Sequence, residues 1–140
     1  MTDDAAVYRR FPLEIFNEGK LELIDELTAE DFVEHAELPP GFPPGRAGIG
    51  AFVTAIRSAF PDFRYEILLQ TQDGDLHVGL VRASGTMEGE FMGMPASGKS
   101  ATWDEVHIGR IQDGRLTEHW TVQDRLGMLQ QLGFVPGPPG

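Results

Sequence analysis

Apolar residues recur every three to four positions over the first sixty residues, then mostly every second position, a change from helical to strand period. Val7, Phe11 and Ile15, with Tyr8 and Phe16 beside them, predict a helix over 3–18. Pro12 lacks a backbone donor and should kink that helix or divide it. Gly19, after Asn17-Glu18, is expected to be its C-terminal cap. Leu21, Ile24 and Leu27 mark a short second helix at 20–28. The period breaks in "AEDFVEHAE", where Phe32 and Val33 are expected to enter the core with His35 just beyond. "LPPGFPPG" (38–45) holds four prolines and two glycines, so it reads as an ordered loop at a pocket mouth or as a plain connector. Ile49, Phe52, Val53, Ile56 and Phe60 form one stripe of a helix over 47–60, stopped by Pro61.

Strands are predicted at 63–72, 76–86, 87–92, 99–111 and 116–123, with a loop at 93–98. "QDGD" (72–75) and "QDGR" (112–115) supply Asp-Gly turns, the strongest short hairpin signal. A last short helix carries Leu126, Met128, Leu129 and Leu132 and ends at Gly133, leaving a loose Pro/Gly tail at 136–140. Helices followed by antiparallel strands argue an α+β fold with the helices packed on one face of a curved, mostly antiparallel sheet, whose concave face can wrap an internal pocket. The whole of 1–135 is expected to be one domain.

The hairpin at 103–124 concentrates the chemistry. A two-residue type I′ turn at Asp113-Gly114 pairs Ile111 with Leu116, His107 with Trp120, Glu105 with Val122 and Trp103 with Asp124. Those residues then share one face, and its two tryptophans mark it as buried. A bulge would instead turn His119 and Thr121 inward. Acids and a histidine among aromatics are costly to bury without partners or a purpose. A carboxyl in apolar surroundings is suited to moving protons near neutral pH. Asp124 also stands where the last helix needs an N-cap, and His107 could be a core histidine bonded to Glu105. His77, on a strand near a turn, is expected to be exposed.

Composition narrows the class. The formal charge is −11, from 22 acids against 11 bases, which repels phosphate backbones and argues against a nucleic-acid partner. No apolar run is long enough to span a membrane, and the acidic start is unlike a secretory signal, so a cytoplasmic protein is expected. Without cysteine there is no disulfide framework or thiolate metal site, and the four histidines lack the helical i, i+4 spacing of a zinc protease. "GMPASGKS" (93–100) matches the phosphate-loop pattern, but strand rather than helix follows it, so it is set aside.

The stretches "YRRFPLEIFNEGKLELIDELTAEDFVEH", "AFPDF", "GTMEGEFMGMPASGK" and "IQDGRLTEHWTVQDRLGMLQQLG" resemble the SnoaL-like polyketide cyclases over nearly the whole chain. That family belongs to the nuclear-transport-factor-2-like cones, shared with ketosteroid isomerases and limonene epoxide hydrolases. The resemblance implies an enzyme without cofactor or metal that closes a ring by intramolecular aldol condensation on a hydrophobic polyketide ester. It implies a catalytic acid just after "EHW", where this chain departs from the pattern with Thr121, so Asp124, three residues later, and His107 are the expected catalytic pair. Met87 stands where a histidine is expected. His35, Phe52, Trp103 and Glu105 are the expected substrate contacts, together with His119, Trp120 and Thr121. A homodimer through the outer face of the sheet, where Val106 and Ile108 fall, is also implied. The same cone hosts binding proteins, hydrolases and isomerases, and these are the alternatives.

Overall fold

The computed structural model describes residues 3–137. The helix expected at 3–18 is present, but in two forms. Asp3 caps α1 (Asp4–Arg10), and the chain then widens into a π-helical stretch, Phe11–Phe16. Pro12 lies in its first turn, where the missing N–H forbids an ordinary α-helical bond. Widening, rather than a break, is how the chain absorbs the proline. α2 spans Glu22–Leu27, α3 Arg46–Ala59 and α4 Arg125–Leu132.

Five strands, β1 (Thr28–Glu34), β2 (Arg64–Asp73), β3 (Leu76–Thr86), β4 (Ser100–Gln112) and β5 (Arg115–Gln123), form one open sheet in the order β1-β5-β4-β3-β2. β1 runs parallel to β5, and the other neighbours are antiparallel. β1 corrects the sequence reading, which left 28–34 without a strand. Phe32 is buried and Val33 is 48% exposed, so Val33 does not enter the core as expected. Conversely, 87–92 is not a strand; only Phe91 and Met94 bridge there.

The sheet is curved around the helices, giving the expected α+β cone. One apolar cluster (Ile56, Phe60, Phe63, Val81, Trp103, Leu132) and a second (Val7, Ile15, Ile24, Phe32, Val53, Ile111) make up its core, with Phe16 packed against both. α3 contributes to each, through Ile56 and Val53. β4 outruns β5, and α4 covers the bare edge that results. Gln131 donates to the Thr102 carbonyl and accepts from its N–H, each at 2.8 Å. The "LPPGFPPG" loop lies against the first turn of α3, so tightly that a Cβ on Gly48 would come within 2.5 Å of the Pro43 carbonyl oxygen. Among the described residues no helix is long and apolar enough to cross a membrane. The tail expected at 136–140 lies in part outside the described residues.

Candidate active site

A cavity of ≈ 390 Å³ opens between the two clusters. Its walls are mainly apolar, with Phe11, Phe52, Phe91, Leu116 and Met128 among them, and Leu38, Pro39 and Met92 also line it. Into it project Glu34, Glu105, His107, His119 and Thr121.

The hairpin register explains how. Gln112 faces Arg115 and Ile111 faces Leu116, as the Asp113-Gly114 turn predicts; both turn residues have positive φ. Between Ile111 and Arg110 the pairing slips by one, because Thr117 is an extra residue on β5. Beyond that bulge His107 faces Thr121 and Ile108 faces Trp120. The uniform pairing of His107 with Trp120 is therefore corrected: Trp120 lies on the outer face, and His119 and Thr121 turn inward.

Four side chains then form a continuous hydrogen-bonded chain across three strands. Glu34 on β1 meets His119 Nδ1 at 2.6 Å. His119 Nε2 meets His107 Nδ1 at 2.8 Å. His107 Nε2 meets Glu105 Oε1 at 2.7 Å. The two imidazoles lie 24° from coplanar with centroids 5.0 Å apart, as an edge-to-edge N–H···N contact requires. Among the described residues no three of His, Asp or Glu converge as metal ligands do; the groups run in line.

The inner end of the chain is tightly held. Glu105, 2% exposed, accepts the Tyr65 hydroxyl at 2.7 Å and the Trp103 indole N–H at 2.6 Å as well as His107. Burial alone would raise its pKa, but the hydrogen bond and positive charge available from His107, with the Tyr65 and Trp103 donors, outweigh burial and hold it below the usual carboxylate range. Burial first, and the Glu105 charge second, push the Tyr65 hydroxyl well up, so it stays a donor. Burial likewise pulls His119 down, against the opposing pull of Glu34.

Backbone contacts fix these groups. The Asn17 amide both donates to the Tyr65 carbonyl (2.9 Å) and accepts from its N–H (2.7 Å), pinning the edge strand β2. The Tyr8 hydroxyl donates to the His107 carbonyl at 2.8 Å. It can do so because Gly79, opposite His107, has no side chain; a Cβ there would stand 2.5 Å from the Tyr8 oxygen. Neither Tyr8 nor Tyr65 stood out in the sequence, since each reaches the site only through tertiary packing.

Of the expected site residues, Phe52, Trp103, Glu105, His107, His119 and Thr121 line the cavity. The Thr121 hydroxyl is turned to the Val106 carbonyl, 3.0 Å away. His35 and Trp120 are placed elsewhere, stacked on each other at 4.6 Å and 6° outside the cavity, with His35 paired to Glu118. Both follow inward residues by one position, and strand alternation sends them out. Asp124 is the N-cap of α4: its carboxylate is exposed and accepts the Gly127 N–H at 2.9 Å. Its lack of a place among the cavity walls separates it from His107, with which it was expected to pair. Met87, where a histidine was expected, is fully buried in the core. His77, expected to be exposed, is also fully buried, against the Tyr8 ring at 5.9 Å. Glu34 was not foreseen at all; its signal was the alternation of Phe32, Val33 and Glu34 along a strand that went unread.

The chain is 32% identical to the aklanonic acid methyl ester cyclase DauD of Streptomyces sp. (strain C5), covering 91% of this chain and 81% of the relative. It is 29% identical to the nogalonic acid methyl ester cyclase of Streptomyces nogalater, covering 84% and 89%. Among solved structures, IdmH of Streptomyces antibioticus, described as a putative polyketide cyclase, superposes with a TM-score of 0.79 at 36% identity, over 94% of this chain and 99% of IdmH. Residues 6–132 match the SnoaL-like polyketide cyclase family. With a cone, a largely apolar cavity and a match of that length, the chain belongs to the SnoaL-like polyketide cyclase family.

Proposed function

We propose that this protein is a cytoplasmic ring-closing enzyme that uses neither metal nor organic cofactor and moves one proton out of and back into a hydrophobic polyketide ester. The observation that carries this reading is the line of two carboxylates and two imidazoles set into an otherwise apolar cavity. A C–H between two carbonyls is acidic enough for such a base. Its removal leaves an enolate whose carbon attacks a second carbonyl of the same molecule. The new alkoxide takes the proton back, so substrate and product are isomers. The cavity contributes by holding the two reacting carbons together. The proton work falls to the histidine-carboxylate line, with His107 at its centre, because the Asp124 carboxylate is committed to capping α4.

The relatives' names supply the first compound to try. Incubated with aklanonic acid methyl ester, the protein should yield a product of unchanged mass with one ring more, and His107→Gln should slow that conversion by about 100-fold or more. Tight binding of the ester without conversion would make the protein a carrier instead. A homodimer through the outer sheet face goes with this reading. Val122, 75% exposed, stands opposite Val106 there, so Val122→Glu should shift the sedimentation coefficient to that of a monomer.

A further inference from the structure

Every ring nitrogen of the histidine pair is already engaged, two by carboxylates and two by each other. Neither ring can therefore take a substrate proton directly while the line is intact. Glu105 is no better placed, being 2% exposed and already accepting three donors. Glu34 differs. Both of its oxygens share the single His119 Nδ1 donor, at 2.8 and 2.6 Å; the one further contact is a long one of 3.4 Å from the Ala36 N–H. It lines the cavity and keeps unused lone pairs.

Counting protons gives this end of the line a specific role. The four groups leave three gaps between them. With both glutamates ionised and both imidazoles neutral, two protons serve three gaps, and one gap holds facing lone pairs. One added proton fills the line: Glu105 accepts from His107, the rings share N–H···N, and His119 bonds Glu34. The added proton can equally sit on Glu34, with His119 then donating its Nε2–H to His107. Either arrangement has the same charge.

Given the ring-closing reading, we propose that Glu34 is the catalytic carboxylate of this pocket, the substrate-facing end of a line that stores a single proton in common. Glu34 takes the proton from the activated C–H, the C–H electron pair becoming the enolate. The vacancy in the line moves so that the stored proton costs no isolated buried charge. Once the enolate carbon has bonded to the second carbonyl, Glu34 returns the proton to the resulting alkoxide. His119 and His107 act as positioning and storage groups, and Glu105, fixed by Tyr65 and Trp103, closes the inner end. The other ionisable groups lining the cavity are Glu37, Arg125 and the Tyr8 hydroxyl, and none is bonded to the line's side chains.

The test uses the full chain, Glu34→Gln and Glu34→Asp, with 5-nitrobenzisoxazole as a proton-transfer probe. A base that removes its C–H proton breaks the N–O bond and releases a coloured cyanophenolate, without any need for the natural ester. Glu34→Gln should slow release by about 100-fold or more with little change in KM, and Glu34→Asp should recover part of the rate. In ¹⁵N spectra of the imidazoles, His107 and His119 should respond together to one proton in the wild type. In Glu34→Gln that shared step should move to lower pH, since the negative end is gone. Release by Glu34→Gln within threefold of wild type, or two rings that protonate in independent steps, would overturn the proposal. Glu34-dependent release in a protein that fails to cyclise the ester would sink the ring-closing reading while leaving the role of Glu34 intact.

Discussion

At the scale of single residues, Glu105 shows how a buried charge becomes tolerable. A lone carboxylate at 2% exposure would cost several kcal/mol, and the three donors around it offset that by occupying its lone pairs. This part of the site was legible, because Trp103, Glu105 and His107 alternate along one strand and must share a face. Tyr65 was not, since it reaches Glu105 from β2, 40 residues earlier in the chain. The arrangement makes Glu105→Gln a severe change despite equal size. An amide has one oxygen to accept with, and its NH₂ group must face the Tyr65 hydroxyl, the Trp103 N–H or His107. At least one buried donor loses its partner, for a loss of about 1–3 kcal/mol. Urea denaturation should register that loss, and Trp103→Phe, which removes one of the donors, should recover part of it in the double variant.

Secondary-structure elements carry the harder lesson. The Asp113-Gly114 turn and the strands beside it could be read directly, yet a single extra residue at Thr117 decides which face of β5 meets the cavity. No propensity distinguishes Thr117 as a bulge; the choice is made by packing, which turns His119 inward to join His107 and Glu34. β1 escaped notice for a related reason: it is short, begins directly at the end of α2 and pairs parallel, so no hairpin turn announces it. The role of Asp124 is tested at the same scale. As the N-cap of α4 it should lose about 1 kcal/mol on mutation to Ala, seen as a lower Tm, and almost nothing on mutation to Asn, which caps as well. A catalytic carboxylate would behave differently, since Asn would preserve the Tm and abolish turnover. Measuring both variants for Tm and ring closure separates the two roles.

For the whole molecule, the site and the fold are coupled through protons. Two groups in the line are held below their ordinary pKa values, Glu105 against the opposing effect of its burial and His119 because of burial. In each case the unfolded chain binds the proton more readily than the folded one, so stability rises with pH across the interval between folded and unfolded values. For His119 that interval ends near the ordinary imidazole value of about 6.5, and for Glu105 near about 4.3. The contributions are complete above those values and are lost as the pH falls, first through His119 and then through Glu105. A chain with 22 acids would otherwise relax its self-repulsion on mild acidification and gain stability. The two effects oppose each other between about pH 6.5 and 4.3, so the wild type alone is a poor test. Comparison with His119→Gln resolves them. Glutamine cannot acquire a proton, and the surface charge is otherwise the same, so the Tm difference between variant and wild type isolates the histidine. The variant should be the less stable protein at pH 8, through its lost hydrogen bonds, and that deficit should shrink steadily below about pH 6.5. A deficit that stays constant from pH 8 to 5 would mean that His119 titrates in the folded protein as it does in the unfolded chain, and burial would not be what holds its proton affinity down.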